Sequence, residues 1–225
     1  MFHVAVVLSG CGFLDGSEIH ESVLALAALD RAKFQVTIAA PALKFAVIDH
    51  ATGAAQAERR VALTEAARIA RGKIVDLATL SASDFDALLM PGGYGAAKTL
   101  CNFESAGAKA VVHADLARLV LAMHAAKKPI GAICIAPAIV AAVLRDSGQR
   151  ARLTLGGDPA MSKILREMGQ DGVECAVDQC VVDTEQRIVC TPAYMYDARI
   201  SEVAAGIDKL VAALLALLTP QRASN

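Results

Sequence analysis

Cys134 sits in the middle of the apolar run Gly131-Ala-Ile-Cys-Ile-Ala-Pro-Ala138. A thiolate there would be a strong nucleophile and a site of oxidation; a neutral thiol would be one more small buried residue. "PIGAICIA" reads as a buried strand and "PAIVAAVLRD" as a helix starting directly behind the cysteine. That places the sulfur on a sharp turn at the carboxyl edge of a sheet, where open α/β sheets bind their ligands. The unpaired N–H groups and positive dipole end of the helix are expected to favour thiolate over thiol. Pro137 suits the first helical turn, where a missing donor costs nothing.

Two further stretches reach the same edge. "DFDALLMPGG" ends in Gly92 and Gly93, which permit close backbone approach and can turn N–H donors toward a developing oxyanion. "SGCGFLDGSEIHE" breaks a strand into a glycine-rich loop and delivers Glu18 to the start of a helix. A carboxyl in that position is a candidate general acid or base if burial raises its pKa, and otherwise a helix-capping residue. Cys11 in this loop, and Thr191 and Pro192 after the last strand, are candidates for the pocket wall.

Other constellations are weaker. "GGYGAAKT" (92–99) misses the phosphate loop because Ala97 stands where its second glycine belongs, and "GCGFLDG" is one residue too long for the dinucleotide fingerprint. None of the five histidines has metal-ligand spacing with another on one helix face, and the six cysteines form no C-x-x-C pair, so no metal and no disulfide framework is expected. His113 is the best-placed imidazole for folding over the site, because it follows the glycine turn.

The elements needed to hold these groups alternate along the chain. Strands are expected at "VAVVLS" (4–9), "FQVTIAAP" (34–41), "FDALLMPGG" (85–93) and "PIGAICIA", with helices at 17–32, "VALTEAARIARG", "ADLARLVLAMHAAKK", "PAIVAAVLRD" and around "SKILREMG". The first helix has Ser17 as expected N-cap and an apolar stripe of Ile19, Val23, Leu24, Leu26 and Ala27. Thr52-Gly53 suggests a turn or small hairpin, "VVDTEQRIVCTPA" a second hairpin, and "DARISEVAAGIDKLVAALLALL" a closing amphipathic helix. Strands alternating with helices mean a mostly parallel sheet covered on both faces.

With 225 residues, the chain reads as a single domain over 1–225. A formal net charge of −1 argues against nucleic-acid or membrane-surface partners. "MFHVAVVLSG" lacks a basic leader segment and reads as a strand, so a cytoplasmic location is expected.

"DALLMPGGYGAAKTL" followed by "GAICIAPAIVAAV" resembles the class I glutamine amidotransferase-like superfamily, in its ThiJ/PfpI branch. With "LSGCGFLDGSEIHE", "HATG", "EAARIARG" and "TPAYM", nearly the whole chain is similar to the enhancing-lycopene-biosynthesis (ElbB, ES1-like) family. The resemblance implies a flavodoxin-like three-layer sandwich, a homodimer, and a nucleophile-elbow cysteine with a nearby carboxylate. Cys134 matches that cysteine, Glu18 the carboxylate, and Gly93 with the N–H of Ile135 the oxyanion pocket. It implies glutathione-independent glyoxalase activity without a cofactor: glyoxal converted to glycolate through a Cys134 hemithioacetal, with deglycation of glyoxal adducts as a related reaction. Many relatives carry histidine where Ile135 stands, and its loss weakens the case for a glutamine amidotransferase subunit. A protein that senses oxidants through Cys134 and binds a partner of isoprenoid synthesis is the non-catalytic alternative.

Overall fold

The computed structural model describes residues 1–219. Element order is β1 (His3–Val7), α1 (Ile19–Arg31), β2 (Gln35–Ala40), β3 (Lys44–Ile48), β4 (Ala55–Val61), α2 (Ala62–Ile69), β5 (Val75–Asp76), β6 (Ala87–Met90) and α3 (Tyr94–Lys98). There follow α4 (Phe103–Ala106), α5 (Ala114–Ala125), β7 (Ile130–Ile133), α6 (Pro137–Asp146), β8 (Arg152–Leu153), α7 (Pro159–Glu167), β9 (Asp171–Gly172), β10 (Val181–Asp183), β11 (Ile188–Thr191) and α8 (Ile200–Leu218). Seven strands form one sheet in the order β10-β11-β7-β6-β1-β2-β5. All its pairings are parallel except β10 with β11, which form the antiparallel hairpin expected near the C-terminus.

Side chains alternate across this sheet as the pleat requires. Ala5, Val7, Leu88, Met90, Ile130 and Cys190 face one apolar layer, which α5 and α6 cover with residues such as Leu119, Met123, Ile139 and Val143. Val4, Val6, Leu89, Ile133 and Val189 face the other, under α1 and α8, with Leu29, Ile207, Leu210 and Leu214. The result is the mostly parallel sheet covered on both faces that the alternation of strand and helix patterns predicts, in the flavodoxin-like three-layer form that the family resemblance implies. The β3–β4 hairpin stands apart as its own two-stranded sheet, its register shifted between Ala46 and Ile48.

Two local differences from the sequence pattern bear on function. The first helix starts at Ile19, with Glu18 as N-cap, while Ser17 is buried and its hydroxyl accepts the Ser9 N–H at 2.8 Å. Its buried face is Glu21, Ser22, Ala25, Ala28 and Leu29, whereas Ile19 and Val23 from the expected apolar stripe are exposed. Small residues face inward because α1 lies close against α8 and the sheet, and this turns a glutamate into the core. "GGYGAAKT" forms the short helix α3 rather than a phosphate cradle; Lys98 lies over the Tyr94 ring, 4.9 Å from its centroid.

At the opposite end of the chain, α8 grips the end of β11. A Cβ on Gly206 would lie 2.4 Å from the Val177 carbonyl and 2.6 Å from Thr191 Oγ1, so the helix contacts the strand through a bare Cα. Alanine normally favours a helix by about 1 kcal/mol over glycine. Gly206→Ala is nevertheless expected to destabilise the protein by about 1–3 kcal/mol through overpacking against backbone, read as a lowered midpoint in chemical unfolding.

Candidate active site

The turn Cys134-Ile135-Ala136 joins β7 to α6. Cys134 has φ 61°, a left-handed conformation that costs a non-glycine residue about 1–3 kcal/mol and is usually held at functional sites. Its own N–H donates to the Thr191 carbonyl at 2.9 Å, which continues the β7–β11 ladder one residue beyond the strand and fixes the turn. The N–H groups of Gly93 and Ile135 both point at the sulfur.

Glu21 is the carboxyl that meets Cys134. It is fully buried, accepts the Gly92 N–H at 2.9 Å and the Tyr194 N–H at 3.3 Å, and shares a hydrogen bond with the thiol. Gly92 packs against both groups. A Cβ on it would sit 2.5 Å from Cys134 Cβ, 2.9 Å from Glu21 Oε2 and 3.0 Å from Cys134 Sγ, so only glycine fits beside the pair in the loop after β6.

Glu18 does something different. Its carboxylate caps α1 by accepting the Glu21 N–H at 2.6 Å, and its carbonyl accepts the Ser22 hydroxyl at 2.6 Å. It also borders the cavity in front of Cys134, half-buried. Glu18, assigned by the family pattern as the carboxylate partner, therefore stands at the cavity edge, and the glutamate one helical turn further on faces the sulfur. The spacing Glu21–Ala25–Ala28 carried the signal, since it puts a carboxyl on the small-residue face of the helix.

The ionisation of the pair follows from its burial. Glu21 is pushed up to about 7, first by desolvation and next by the Glu18 charge, against the opposing hydrogen bonds from Gly92, Cys134 and Tyr194. Burial, and then repulsion from Glu21, push the Cys134 thiol well above its ordinary range, although the Gly93 and Ile135 N–H groups oppose this. The expected thiolate preference is thus outweighed while Glu21 is ionised. Thiol and carboxyl share a site that tolerates no more than one negative charge, and they titrate as a pair.

Above the sulfur opens a cavity of about 420 Å³. Cys134, Gly93, Ile135 and Ala97 line its inner end, and Phe103, Met161, Tyr194 and Met195 its sides. Phe13 and Tyr94, about half exposed, stand at its mouth with Glu18 and Glu104. Of the other residues expected near the site, Gly92 lies behind the sulfur. Thr191 is buried, its carbonyl bonded to Cys134 and its hydroxyl to the Gln179 carbonyl at 2.7 Å. Pro192 is buried at the start of the turn that presents Tyr194. Neither borders the cavity, and neither does Cys11, whose charged neighbours are Arg68, Glu65 and Asp15. No histidine lines the cavity among the described residues. His113 precedes α5, with Nδ1 3.9 Å from Asp115, and His20 meets the Tyr194 hydroxyl at 3.0 Å on the outer side of the wall.

A flavodoxin-like sandwich with a strained cysteine after a central strand, facing a buried glutamate beside a glycine, defines a thiol-carboxyl site of the amidotransferase-like class. The DJ-1/PfpI family profile matches residues 7–198, and the chain belongs to that family. It is 40% identical to human glutamine amidotransferase-like class 1 domain-containing protein 3, mitochondrial, over 95% of this chain and 82% of that protein. With the rat ES1 protein homolog, mitochondrial, the identity is 38% over 95% of this chain and 83% of that protein. An isoprenoid biosynthesis protein with an amidotransferase-like domain from Ehrlichia chaffeensis superposes with a TM-score of 0.91 at 35% identity, covering 97% of this chain and 100% of that one. Because the human and rat relatives are mitochondrial by name, the expectation of a cytoplasmic location is overturned. The strand-like reading of "MFHVAVVLSG" holds for its fold, β1, and carried no information about compartment.

The burial of Glu21 has a signed consequence for stability. Its folded pKa lies above the ordinary value, from 4.5 to about 7, so the folded protein holds a proton the unfolded chain has released. The stabilisation is fully present below about pH 4.5 and is lost as pH rises through 7, up to about 3 kcal/mol at 1.36 kcal/mol per unit. Between pH 5 and about 8, thermal stability of the wild type is expected to fall relative to Glu21→Gln, measured by calorimetry across the range.

Proposed function

We propose that the protein is a cofactor-independent glyoxalase in which Cys134 is the nucleophile and Glu21 the proton carrier. The buried Cys134–Glu21 pair at the base of an open cavity is the observation that supports it. As Cys134 Sγ bonds to the aldehyde carbon of glyoxal, the thiol proton passes to the carbonyl oxygen by way of Glu21 and a hemithioacetal forms. The Gly93 and Ile135 N–H groups face the oxygen as it gains charge. Glu21 carboxylate then takes the proton from the carbon bearing sulfur and returns it to the neighbouring carbon through an enediol. The product is a thioester of glycolate, and water cleaves it to restore the thiol. No electrons are gained or lost overall: glyoxal and water become glycolate.

Glu21 suits both halves of this reaction because its pKa, about 7, lets it donate and accept near neutral pH. Glu18 assists by holding the Glu21 N–H, which makes it a positioning residue. Ile135 leaves the thiol without an adjacent imidazole, so glutaminase chemistry is not supported.

A second reading is an oxidant sensor: the two N–H donors and the open cavity beside the Cys134 sulfur support it, and the burial that pushes the thiol's pKa up opposes it. Peroxide sensitivity confined to Cys134, in a protein that turns over no aldehyde, would establish that role.

Metal-free protein mixed with glyoxal in the absence of glutathione is expected to yield glycolate by NMR. Cys134→Ser is expected to abolish turnover, Glu21→Gln to lower it by about 10²-fold or more, and Glu18→Gln, which keeps a capping oxygen, to leave kcat within a few-fold. Equal losses at Glu18 and Glu21 would refute the assignment of roles. The wild-type kcat/KM is expected to rise as pH passes through about 7, because the fully protonated pair has no base, and this limb should vanish in Glu21→Gln.

A further inference from the structure

A second cavity, of about 280 Å³, opens between the β3–β4 hairpin and the far end of α3. Three cations border it, Lys44, Arg59 and Lys98. The hairpin register brings the first two together. Ala46 pairs with Arg59 across the hairpin and Lys44 lies two residues before Ala46, so Lys44, Ala46 and Arg59 emerge on one face. Like charges on neighbouring positions of one hairpin face oppose its pairing. Arg60, on the other face, is neutralised by Glu58 and Glu65, at 3.0 and 3.6 Å. Lys44 and Arg59 take part in no ion pair among the described residues. Arg59 gives one N–H to the Lys44 carbonyl at 3.2 Å, which holds its guanidinium beside β3 and leaves the rest of its donors to the cavity side.

The third cation comes from the stretch that misses the phosphate-loop pattern. Lys98 and Thr99, at the end of α3, border this cavity, while Tyr94 and Ala97 of the same helix border the cavity of Cys134. Asp15 is the one carboxylate in the lining, and it is engaged: Oδ2 accepts the Ile48 N–H at 2.8 Å and Oδ1 stands 3.9 Å from His50 Nε2. Three positive charges thus face one negative. Leu14, Leu43 and Ile48 add an apolar wall. A guanidinium fork with ammonium groups beside it matches the geometry and charge of a phosphate. A phosphate alone occupies the space of two or three water molecules of about 30 Å³ each, which leaves room in about 280 Å³ for a small hydrocarbon group.

We propose that this cavity is a binding site for a small phosphate monoester. Lys44, Arg59 and Lys98 hold the phosphate, and Leu14, Leu43 and Ile48 receive the hydrocarbon group. The binding is non-covalent and stands apart from the Cys134 chemistry, whichever reaction that cysteine performs.

Calorimetric titration of the intact protein with phenyl phosphate is expected to show one saturable site. Its affinity should exceed that for inorganic phosphate by at least about tenfold, the discrimination that roughly 60 Å² of buried apolar surface supplies, and phenol should not bind. Lys44 and Arg59 are exposed, so the fold survives their replacement. Lys44→Glu and Arg59→Glu should each weaken phenyl phosphate by about tenfold or more, the loss of a hydrogen bond to a charged group. Lys163→Glu, the same reversal on the exposed face of α7 and outside this cavity, should change it less than about twofold because solvent and salt screen so remote a charge. In methyl-labelled protein, phenyl phosphate should move the Ala46 and Thr99 signals while that of Ala142, fully buried in the core, stays fixed. Inorganic phosphate bound as tightly as phenyl phosphate, equal losses on reversing Lys163 and Arg59, or unmoved Ala46 and Thr99 signals would overturn the proposal.

Discussion

A carboxyl and a thiol buried together in a space that tolerates one negative charge is the constraint on which the rest depends. Neither Glu21 nor Cys134 is arranged by itself. Gly92 must lack a side chain for them to meet, the Gly92 and Tyr194 N–H groups must hold the carboxyl, and Thr191 must hold the Cys134 backbone in its strained turn. Each of these supports comes from the carboxyl end of a central strand or the loop after it, so the sheet functions as a jig for the pair. A buried acid with a raised pKa opposes stability at neutral pH, and its retention there is the kind of local conflict that marks functional positions.

The fold was legible because its signals are repetitive. Alternating apolar runs and helical stripes recur through the chain, and an error of one or two residues at an element's end, such as Ser17 in place of Glu18 as N-cap, leaves the topology unchanged. The cysteine was legible too, because a strand, a cysteine and a helix with Pro137 in its first turn permit few geometries. Its carboxyl partner was harder to read. Two glutamates lie three residues apart in Ser17-Glu-Ile-His-Glu21, and which of them enters the core depends on which face of α1 is buried. Hydrophobicity favoured a stripe through Ile19 and Val23, yet close packing against α8 selected alanines instead. Tertiary packing overrode the local pattern, and the identity of the inward glutamate changed with it.

The walls of the cavity were invisible to sequence reasoning for a related reason. Phe103, Met161 and Met195 belong to three separate connections after different strands, and only the closed topology brings them over Cys134. Thr191 ends the neighbouring strand and Pro192 follows it, and neither borders the cavity they were expected to wall. Their side chains are spent on the core, and the next turn supplies Tyr194 and Met195.

The hydrogen bond from the Tyr194 N–H to Glu21 joins residues 173 positions apart. A chain emerging from the ribosome therefore presents Glu21 long before the segment that encloses it exists. Until β11 and its turn arrive, the carboxyl is solvated, loses its proton at an ordinary pH, and has no ordered thiol beside it. The buried thiol–carboxyl pair thus exists only in the finished fold: an incomplete chain carries an ordinary exposed thiol and an ordinary carboxyl, with neither held against the other.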